Sequence, residues 1–294
     1  MRMEGNESMN RTRKRNLKRR LKKAVSYVLL TMLGLLFLYP FCFLISASFK
    51  TNTELLTSYS LIPRQITLES YIKGWRGVGE YYFGTFILNS VKIVFPVVVL
   101  TVLSCSVVAY GFARFRFKGR NLLFGLMIST MMLPNAATII PKYIMFRQFN
   151  WLDTYLPFWI PAAFACYPFF IFSVMQFIRG IPREIDESAF MDGCGTLRIF
   201  LRIIMPLCKP ALFSVGIFQF IWTWNDYFNP LIFINSVRKY NVMQGLRLSM
   251  DSSTSISWGP IMAMSFVAML PCIVIFFLAQ KYFVEGVATT GLKG

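Results

Sequence analysis

Residues 86–112 read FILNSVKIVFPVVVLTVLSCSVVAYGF and contain one charged side chain, Lys92. A helix needs about 20 apolar residues to cross a hydrocarbon core of roughly 30 Å, and this run is longer. Pro96 lies inside the run, but membrane helices tolerate proline where neighbouring helices satisfy the freed backbone groups. We therefore interpret the run as a membrane-spanning helix, in which Lys92 is close enough to the outer end to extend its amine into the interface.

Five further apolar runs have the same character. They cover approximately residues 24–47, 122–140, 157–178, 211–234 and 261–281. Hydrophobic residues make up 55% of the 294 residues and charged residues 15%, a balance that soluble domains do not show. The sequence lacks the amphipathic helices that would have to cover six apolar helices in water. The predicted class is an all-α membrane protein with six transmembrane helices, in which Pro134 and Pro271 produce kinks rather than helix ends.

The first run is interpreted as an uncleaved helix. It ends near Ser46–Ser48, a stretch of small residues that resembles a signal-peptide cleavage site. At about 24 residues, however, it is longer than the 7 to 15 apolar residues of a signal peptide. We therefore expect a basic cytoplasmic tail at 1–23, a membrane domain at 24–281 and a cytoplasmic tail at 282–294.

Lysine and arginine residues indicate the orientation, because cytoplasmic loops of membrane proteins are enriched in both. With both termini in the cytoplasm, 21 of the 31 basic residues lie inside and nine lie in the longer outer loops. The formal net charge of +18 is then mainly a topology feature. Basic clusters attract nucleic acid or anionic lipid, but the one at 11–23 has no interleaved aromatic residues. We therefore interpret it as the signal that fixes the orientation of the chain, and we expect membrane lipid but no nucleic acid among the partners.

Several kinds of chemistry are excluded by composition. The chain has no histidine and no Gly-Lys dipeptide, which removes histidine-based metal sites, catalytic triads and a Walker A loop. The six cysteines form no Cys-x-x-Cys motif. We expect no catalytic residues, no metal site and no cofactor in this chain.

The loop at 179–210 has the local sequence of two short helices joined by a turn. From Ile178 it reads IRGIPREIDESAFMDGCGTLRIFLRIIMPLCKPAL. Pro182 suits a first helical position, and Gly193 can take the positive φ that often ends a helix. Thr196 is placed to cap a second helix, Leu197 to Met205, which Pro206 would stop. Such a helix pair is suited to docking in a groove of another protein.

This loop also resembles the EAA loop of permease subunits of binding-protein-dependent ABC importers. Serine and cysteine stand at positions 188 and 194, where that family usually has alanine. The residues at the motif positions, including the serine that stands in place of alanine, are Glu187, Ser188, Ala189, Asp192, Gly193, Gly195, Phe200 and Pro206. Further matches at Leu88–Ser90, Trp224–Asp226 and Phe283–Gly294 are similar to the carbohydrate-uptake branch, in particular to the six-helix maltose-type subunit.

The resemblance implies a type I ABC importer permease in a bacterial or archaeal cytoplasmic membrane. Such a subunit is not itself an enzyme. It works with a second permease subunit, two ATPase subunits that bind ATP and Mg, and an extracytoplasmic solute-binding protein. In the family, the glutamate at position 187 meets a basic residue of the ATPase, and the C-terminal tail reaches along the ATPase dimer. The implied substrate is a sugar or an oligosaccharide.

The fifth apolar run contains a polar and aromatic cluster. Its members are Trp222, Trp224, Asn225, Asp226, Tyr227 and Asn229. Aromatic faces and amide or carboxylate groups suit the C–H and hydroxyl groups of a sugar, so this cluster is a candidate substrate pathway. Polar contacts between helices are the competing interpretation of the same residues.

Three alternatives to a sugar importer remain open from sequence. The first is an ABC importer permease for a non-sugar or acidic solute, such as an acidic oligosaccharide or glycerol phosphate. The second is an ion-coupled secondary transporter, although the spans contain only Lys92 and Asp226 as ionisable residues. The third is a membrane-anchored regulatory or scaffold protein that uses its basic tail.

Overall fold

The computed structural model describes the backbone of residues 2–251 and 257–291 and the side chains of residues 19–251, 257–278 and 280. Regular structure in these ranges is helical, apart from one isolated bridge between Val78 and Tyr81. This agrees with the predicted all-α class.

Fifteen α-helices occur in the described residues, and their bounds follow in chain order. The first seven are α1 (Arg2–Ser48), α2 (Asn52–Thr57), α3 (Glu69–Trp75), α4 (Phe83–Arg114), α5 (Arg120–Thr130), α6 (Asn135–Gln148) and α7 (Leu156–Ala163). The next four are α8 (Pro168–Arg179), α9 (Glu184–Met191), α10 (Thr196–Ile199) and α11 (Met205–Leu207). The last four are α12 (Lys209–Trp224), α13 (Phe228–Phe233), α14 (Val242–Asp251) and α15 (Trp258–Gly291). A π-helical turn (Phe200–Ile204) joins α10 to α11, and a 3-10 turn (Val237–Lys239) precedes α14.

Four helical stretches of the described residues are long and apolar enough to cross a membrane. They are Arg19–Ser48, Phe83–Arg114, Leu156–Arg179 and Trp258–Leu278. Two bent pairs, α5 with α6 and the Thr196–Leu207 stretch with α12, pass the same test jointly. The number of spans is therefore four, or up to six if each bent pair forms one span.

The predicted third helix is broken, contrary to expectation. Helix α5 ends at Thr130, α6 begins at Asn135, and the two axes differ by 103°. Pro134 precedes α6 in an extended conformation. A proline disfavours the helical region for the residue before it and cannot donate a backbone hydrogen bond, so the helix does not continue through this position. The expectation of a kink at Pro134 was wrong, whereas Pro96 and Pro271 lie inside continuous helices.

The predicted fourth and fifth helices are interrupted too. Between α7 and α8 the chain passes through Ala165, whose φ is 55°. Between α12 and α13, residues 225–227 leave the helix at the polar cluster. At the ends of the chain, α1 begins at Arg2 and α15 continues to Gly291, so helix extends into both predicted tails; Met1 and residues 292–294 lie outside the described residues.

The chain divides into two compact units. The first comprises residues 1–73 and 257–266, and the second comprises residues 74–256 and 267–294. Polar contacts organise the first unit: the Ser48 and Tyr71 hydroxyl oxygens are 2.7 Å apart, and Arg64 N donates to Glu54 Oε1 at 2.8 Å. The amine of Lys50 is buried and donates to the carbonyl of Ser60.

Helix α4 is the centre of the second unit, where it packs against α7, α8, α12 and α14. One apolar cluster surrounds the Arg114 half of α4 and includes Phe170, Val174, Phe200 and Ile204. Another surrounds its opposite half, and its members are Ile93, Val97, Ile139, Phe146, Phe158, Ala162, Phe233 and Ile234. The first cluster supports the 179–210 loop, and the second supports the polar break between α12 and α13.

Candidate functional site

Helix α9 carries the acidic half of the EAA-like motif. Glu184, Asp186 and Glu187 lie in its first turn, where carboxylates interact favourably with the positive end of the helix dipole. The helix begins two residues after Pro182, later than the sequence predicted. It ends as predicted: Gly193 has a φ of 78°, a conformation that side chains disfavour.

The second half of the 179–210 loop differs from the prediction. Thr196 is the first residue of α10, and no side chain caps that helix. Pro206 does not stop the helical path either, because a π turn at Phe200–Ile204 precedes it and the chain remains helical to Leu207. Met205 N donates to Phe200 O five residues back, and such a π turn is a recognised way to bend a helix.

The motif residues separate into buried and exposed groups. Ala189 and Phe200 are buried, and the Phe200 ring packs on Tyr110 with centroids 4.9 Å apart. The exposed members are Glu187, Ser188, Asp192, Gly193, Gly195 and Pro206. The structure therefore brings one face of the motif to the surface and uses the other face for packing.

Large apolar side chains lie beside the exposed motif residues. Phe190 is 68% exposed, Met191 85% and Leu197 70%. An open concavity of about 580 Å³ follows them along the loop and is lined by Gly193, Gly195, Thr196, Leu197, Arg198, Leu201 and Arg202. Contiguous exposed apolar residues rimmed by polar ones are typical of a protein interaction surface.

A cavity of about 390 Å³ with a mixed apolar and polar lining lies at the break between α12 and α13. Among its lining residues are Asn135, Lys142, Tyr167, Gln219, Trp222, Thr223, Asp226 and Asn229. Of the sequence-predicted pathway residues, Trp222, Asp226 and Asn229 therefore lie together on this cavity. Trp224, Asn225 and Tyr227 do not line it.

Trp224 has a packing role instead. Its side chain is 2% exposed, and its indole N–H donates to Ala268 O at 2.9 Å. Asn225 donates from Nδ2 to Ile221 O at 2.8 Å, which satisfies a carbonyl at the end of α12. These two residues fit the competing interpretation of polar contacts within and between helices.

Asp226 organises the break in the helix. Asn229 donates to its carboxylate twice, from the backbone N at 3.1 Å and from Nδ2 at 2.7 Å. Asn241 donates from Nδ2 to Asp226 O at 2.7 Å, which ties the break to the start of α14. The carboxylate is thus held in a fixed orientation at the wall of the cavity.

Sequence reasoning missed five polar residues of the cavity, namely Asn135, Lys142, Tyr167, Gln219 and Thr223. Asn135 and Lys142 come from α6, which no one-dimensional pattern connects to α12. Gln219 is buried on α12; its Nε2 donates to Thr223 at 2.9 Å, while its Oε1 has no hydrogen-bond partner. Gln219 could have been identified from the sequence, because it interrupts the apolar stretch IFQFIW three residues before Trp222.

Asp153 fastens the loop before α7 to the loop before α14. It accepts from Ser236 N at 2.9 Å and Ser236 Oγ at 2.7 Å, and it pairs with the amine of Lys239 at 3.0 Å. Desolvation by itself would raise the pKa of Asp153, but these hydrogen bonds outweigh it and hold the pKa at about 2. The carboxylate is therefore ionised at neutral pH. Among the described residues, no group of three His, Cys, Asp or Glu side chains could hold a metal ion.

The fold matches that of a chain in a solved ABC transporter. A chain from the crystal structure of a bacterial ABC transporter involved in the import of the acidic polysaccharide alginate superposes with a TM-score of 0.80. The match covers 90% of this chain and 97% of that chain at 24% sequence identity. At this identity the likeness establishes the fold alone.

Sequence comparison identifies the family. The model for the "Binding-protein-dependent transport system inner membrane component" matches residues 105–289. The arabinooligosaccharides transport system permease protein AraQ of Bacillus subtilis (strain 168) is 34% identical over 266 residues, covering 90% of this chain and 93% of that protein. The trehalose/maltose transport system permease protein MalG of Thermococcus litoralis is 28% identical over 274 residues, with coverages of 93% and 98%. The chain belongs to this family of inner-membrane permease components, and the predicted family is confirmed.

Proposed function

We propose that this chain is the transmembrane permease subunit of an ATP-driven ABC importer, coupled to its ATPase through the 179–210 loop. The observation that carries the proposal is the surface of α9. There the exposed carboxylate of Glu187 lies beside the exposed side chains of Phe190 and Met191 in a chain of this permease family. An acid next to apolar anchors suits a basic cleft in a partner protein, since a partly desolvated charge pair contributes both attraction and orientation.

Neighbouring motif residues would complete the docking surface. Ser188 and Asp192 are exposed on α9, and Gly193 and Gly195 shape the turn that brings Leu197 alongside. Ala189 and Phe200 would support that surface from below, and Pro206 would set the exit angle of the loop. ATP and Mg belong to the partner ATPase subunits in this proposal.

The proposed assembly contains this chain, a second permease subunit, two ATPase subunits and an extracytoplasmic solute-binding protein. The chain would cross a bacterial or archaeal inner membrane six times with both termini in the cytoplasm. This requires two crossings beyond the four long helical stretches, one by the bent pair α5–α6 and one by α12 after its bend from the 179–210 loop. ATP binding would close the ATPase dimer, move the two docked loops together and open the permeases outward. Nucleotide and loaded binding protein would favour the same conformer, as a two-state mechanism requires.

The substrate proposed is a sugar or an oligosaccharide. The relatives AraQ and MalG belong to arabinooligosaccharide and trehalose/maltose transport systems. The cavity between α6 and α12 offers an indole face, amides and a fixed carboxylate, groups that pair with the C–H faces and hydroxyls of a sugar. Trp222, Asp226 and Asn229 would be its contacts beside the break in the helix.

An acidic oligosaccharide is the second candidate. Lys142 lines the same cavity, where its amine would attract a carboxylate of a uronic acid. The structural neighbour belongs to a transporter that imports alginate, an acidic polysaccharide. Substituting Lys142→Gln separates the candidates: uptake of an acidic substrate should fall more than uptake of a neutral one.

Vesicles that contain the complete complex and the loaded binding protein test the function. Uptake should require ATP inside the compartment that faces the 179–210 loop and should persist when ionophores collapse the ion gradients. Uptake that survives ATP depletion and disappears with the ion gradient would contradict the proposal and favour a secondary transporter. A purified chain that retains no ATPase subunit would favour a scaffold protein.

A further inference from the structure

One ion pair connects α9 to the long helix at the centre of the second unit. Arg114 is the last residue of α4, and Asp186 lies in the first turn of α9, 72 residues further along the chain. Their Nη2 and Oδ2 atoms are 2.9 Å apart, and the side chains are 8% and 19% exposed. The same Nη2 donates to Ile181 O at 3.1 Å, in the segment that leads into α9. A single guanidinium thus contacts both the approach to α9 and its first turn.

The environment of this pair is apolar. Tyr110, one turn before Arg114, packs on Phe200 with ring centroids 4.9 Å apart and on Phe115 at 5.6 Å. Ala189, one turn after Asp186 on α9, is buried in the same cluster. Removing two charges from water is costly, and a well-packed apolar pair would be equally or more stable at such a place. Stability alone therefore does not account for the pair, whereas a fixed position of α9 does.

The pair also has unused bonding capacity. Nε of Arg114 and both carboxylate oxygens of Asp186 are buried and make no hydrogen bond, so the two side chains are in ionic contact at 2.9 Å without a formed hydrogen bond between them. A bidentate arginine–carboxylate pair would join both oxygens to the guanidinium. An ion pair with hydrogen bonds still to form can stay in contact while the angle between two helices changes, because a change of angle can bring its atoms into bonding geometry.

Asp186 and Glu187 face different surroundings although they are adjacent. Successive residues of an α-helix project about 100° apart. Asp186 is largely buried against Arg114, whereas Glu187 is exposed. Two neighbouring acids therefore divide between the interior of this chain and the surface that α9 presents outward.

We propose that Arg114 is the positioning residue that transmits movement of α9 to α4 through its ion pair with Asp186. The inference rests on the proposed function, in which an ATPase subunit docks on Glu187 and the adjacent apolar residues. Docking moves α9, and the buried ion pair carries that displacement to the end of the central helix. Loss of the pair leaves the docking surface intact but separates ATP hydrolysis from rearrangement of the helices.

The test uses the complete transporter reconstituted with its binding protein. The variants are Arg114→Gln, Asp186→Asn and the exchanged pair Arg114→Asp with Asp186→Arg. Arg116→Gln and Glu184→Gln are matched controls, because each removes one exposed charge, the first two residues after the end of α4 and the second in the first turn of α9. The measurements are the amount of ATPase subunit that co-purifies, the rate of ATP hydrolysis and the substrate transported per ATP hydrolysed.

We expect each single variant to retain its ATPase subunits and to lose on the order of tenfold in substrate transported per ATP. The exchanged pair should recover most of that loss, which shows that the two charges act as a pair. Loss of transport per ATP while the ATPase subunits stay bound is the result that a merely structural role would not produce. If Arg114→Gln does not accumulate, Arg114→Lys replaces it in the test. This variant keeps the positive charge but not the planar guanidinium group, and we expect an intermediate loss in substrate transported per ATP. Single variants that behave like the controls, or an exchanged pair that is as defective as the single variants, would overturn the inference. If Glu187→Lys leaves transport coupled to ATP hydrolysis, the proposed function itself has failed. If Glu187→Lys uncouples transport while Arg114→Gln does not, only the inference about Arg114 has failed.

Discussion

Substitution of Gly193 by alanine tests whether the shape of the 179–210 loop matters for coupling. Gly193 ends α9 with a φ of 78°, and a Cβ built on it would meet no atom within 4 Å. The substitution therefore introduces backbone strain without a steric clash. A left-handed conformation costs a residue with a Cβ about 1–2 kcal/mol, which corresponds to roughly a 5- to 30-fold loss in the population of the docking conformation.

The assay is substrate uptake and substrate-stimulated ATP hydrolysis by the reconstituted complex. Gly119→Ala is the matched control, because Gly119 has a φ of 82°, open space for a Cβ and a position in a turn outside the loop. We expect both variants to be destabilised to a similar extent, but only Gly193→Ala to lose coupling. Asparagine at position 193 should restore part of the activity, since it tolerates the left-handed region better than alanine does. Equal uptake by Gly193→Ala and Gly119→Ala would refute the reasoning.

Two further predictions concern the framework around the cavity. Gly245→Ala would place a Cβ 2.3 Å from Cδ2 of the buried Phe86 ring, so we expect a loss of about 1–3 kcal/mol in stability, whereas Gly216→Ala, with its nearest contact at 3.7 Å, should unfold at or above the wild-type temperature. Equal melting temperatures for the two variants would show that α14 approaches α4 less closely than described. The pKa of Asp153 is about 2 in the folded chain and about 3.9 in an unfolded one, so its carboxylate stabilises the fold above pH 4 and loses that effect as the pH falls toward 2. Thermal unfolding of Asp153→Asn should therefore lie below that of the wild type at pH 7 and approach it at about pH 2; a constant difference across that range would contradict the assignment.

The helical class could be predicted from the sequence, but the continuity of the helices could not. Apolar composition decides whether a segment resides in the membrane, and the runs around α4 and α15 were recognised on that basis. It does not decide where the backbone leaves the helix. Residues 225–227 turn between α12 and α13 because Asp226 binds Asn229 and Asn241 supports the turn, and Asn241 lies beyond the predicted run.

In the 179–210 loop, too, one feature could be predicted from the sequence and others could not. The positive φ of Gly193 followed from the chemistry of glycine at a helix end, a local property that the sequence contains. The π turn at Phe200–Ile204 did not, because it depends on how the loop packs against α4. The role of Asp186 was hidden for a related reason: its partner Arg114 is distant in the sequence, and a count of charges assigns both residues to solvent-facing loops.

The most direct test of coupling through α9 is Glu187→Lys in the fully assembled transporter. Its control is Glu184→Lys, because Glu184 is an exposed acid in the same turn of α9 that lies outside the EAA-like motif. We expect reversal of the charge at position 187 to remove the match to a basic cleft in the ATPase. Uptake and substrate-stimulated ATP hydrolysis should then both fall, by about tenfold or more, while Glu184→Lys retains most of each. Undiminished uptake and ATP hydrolysis in Glu187→Lys would contradict the central claim that this chain is driven through α9.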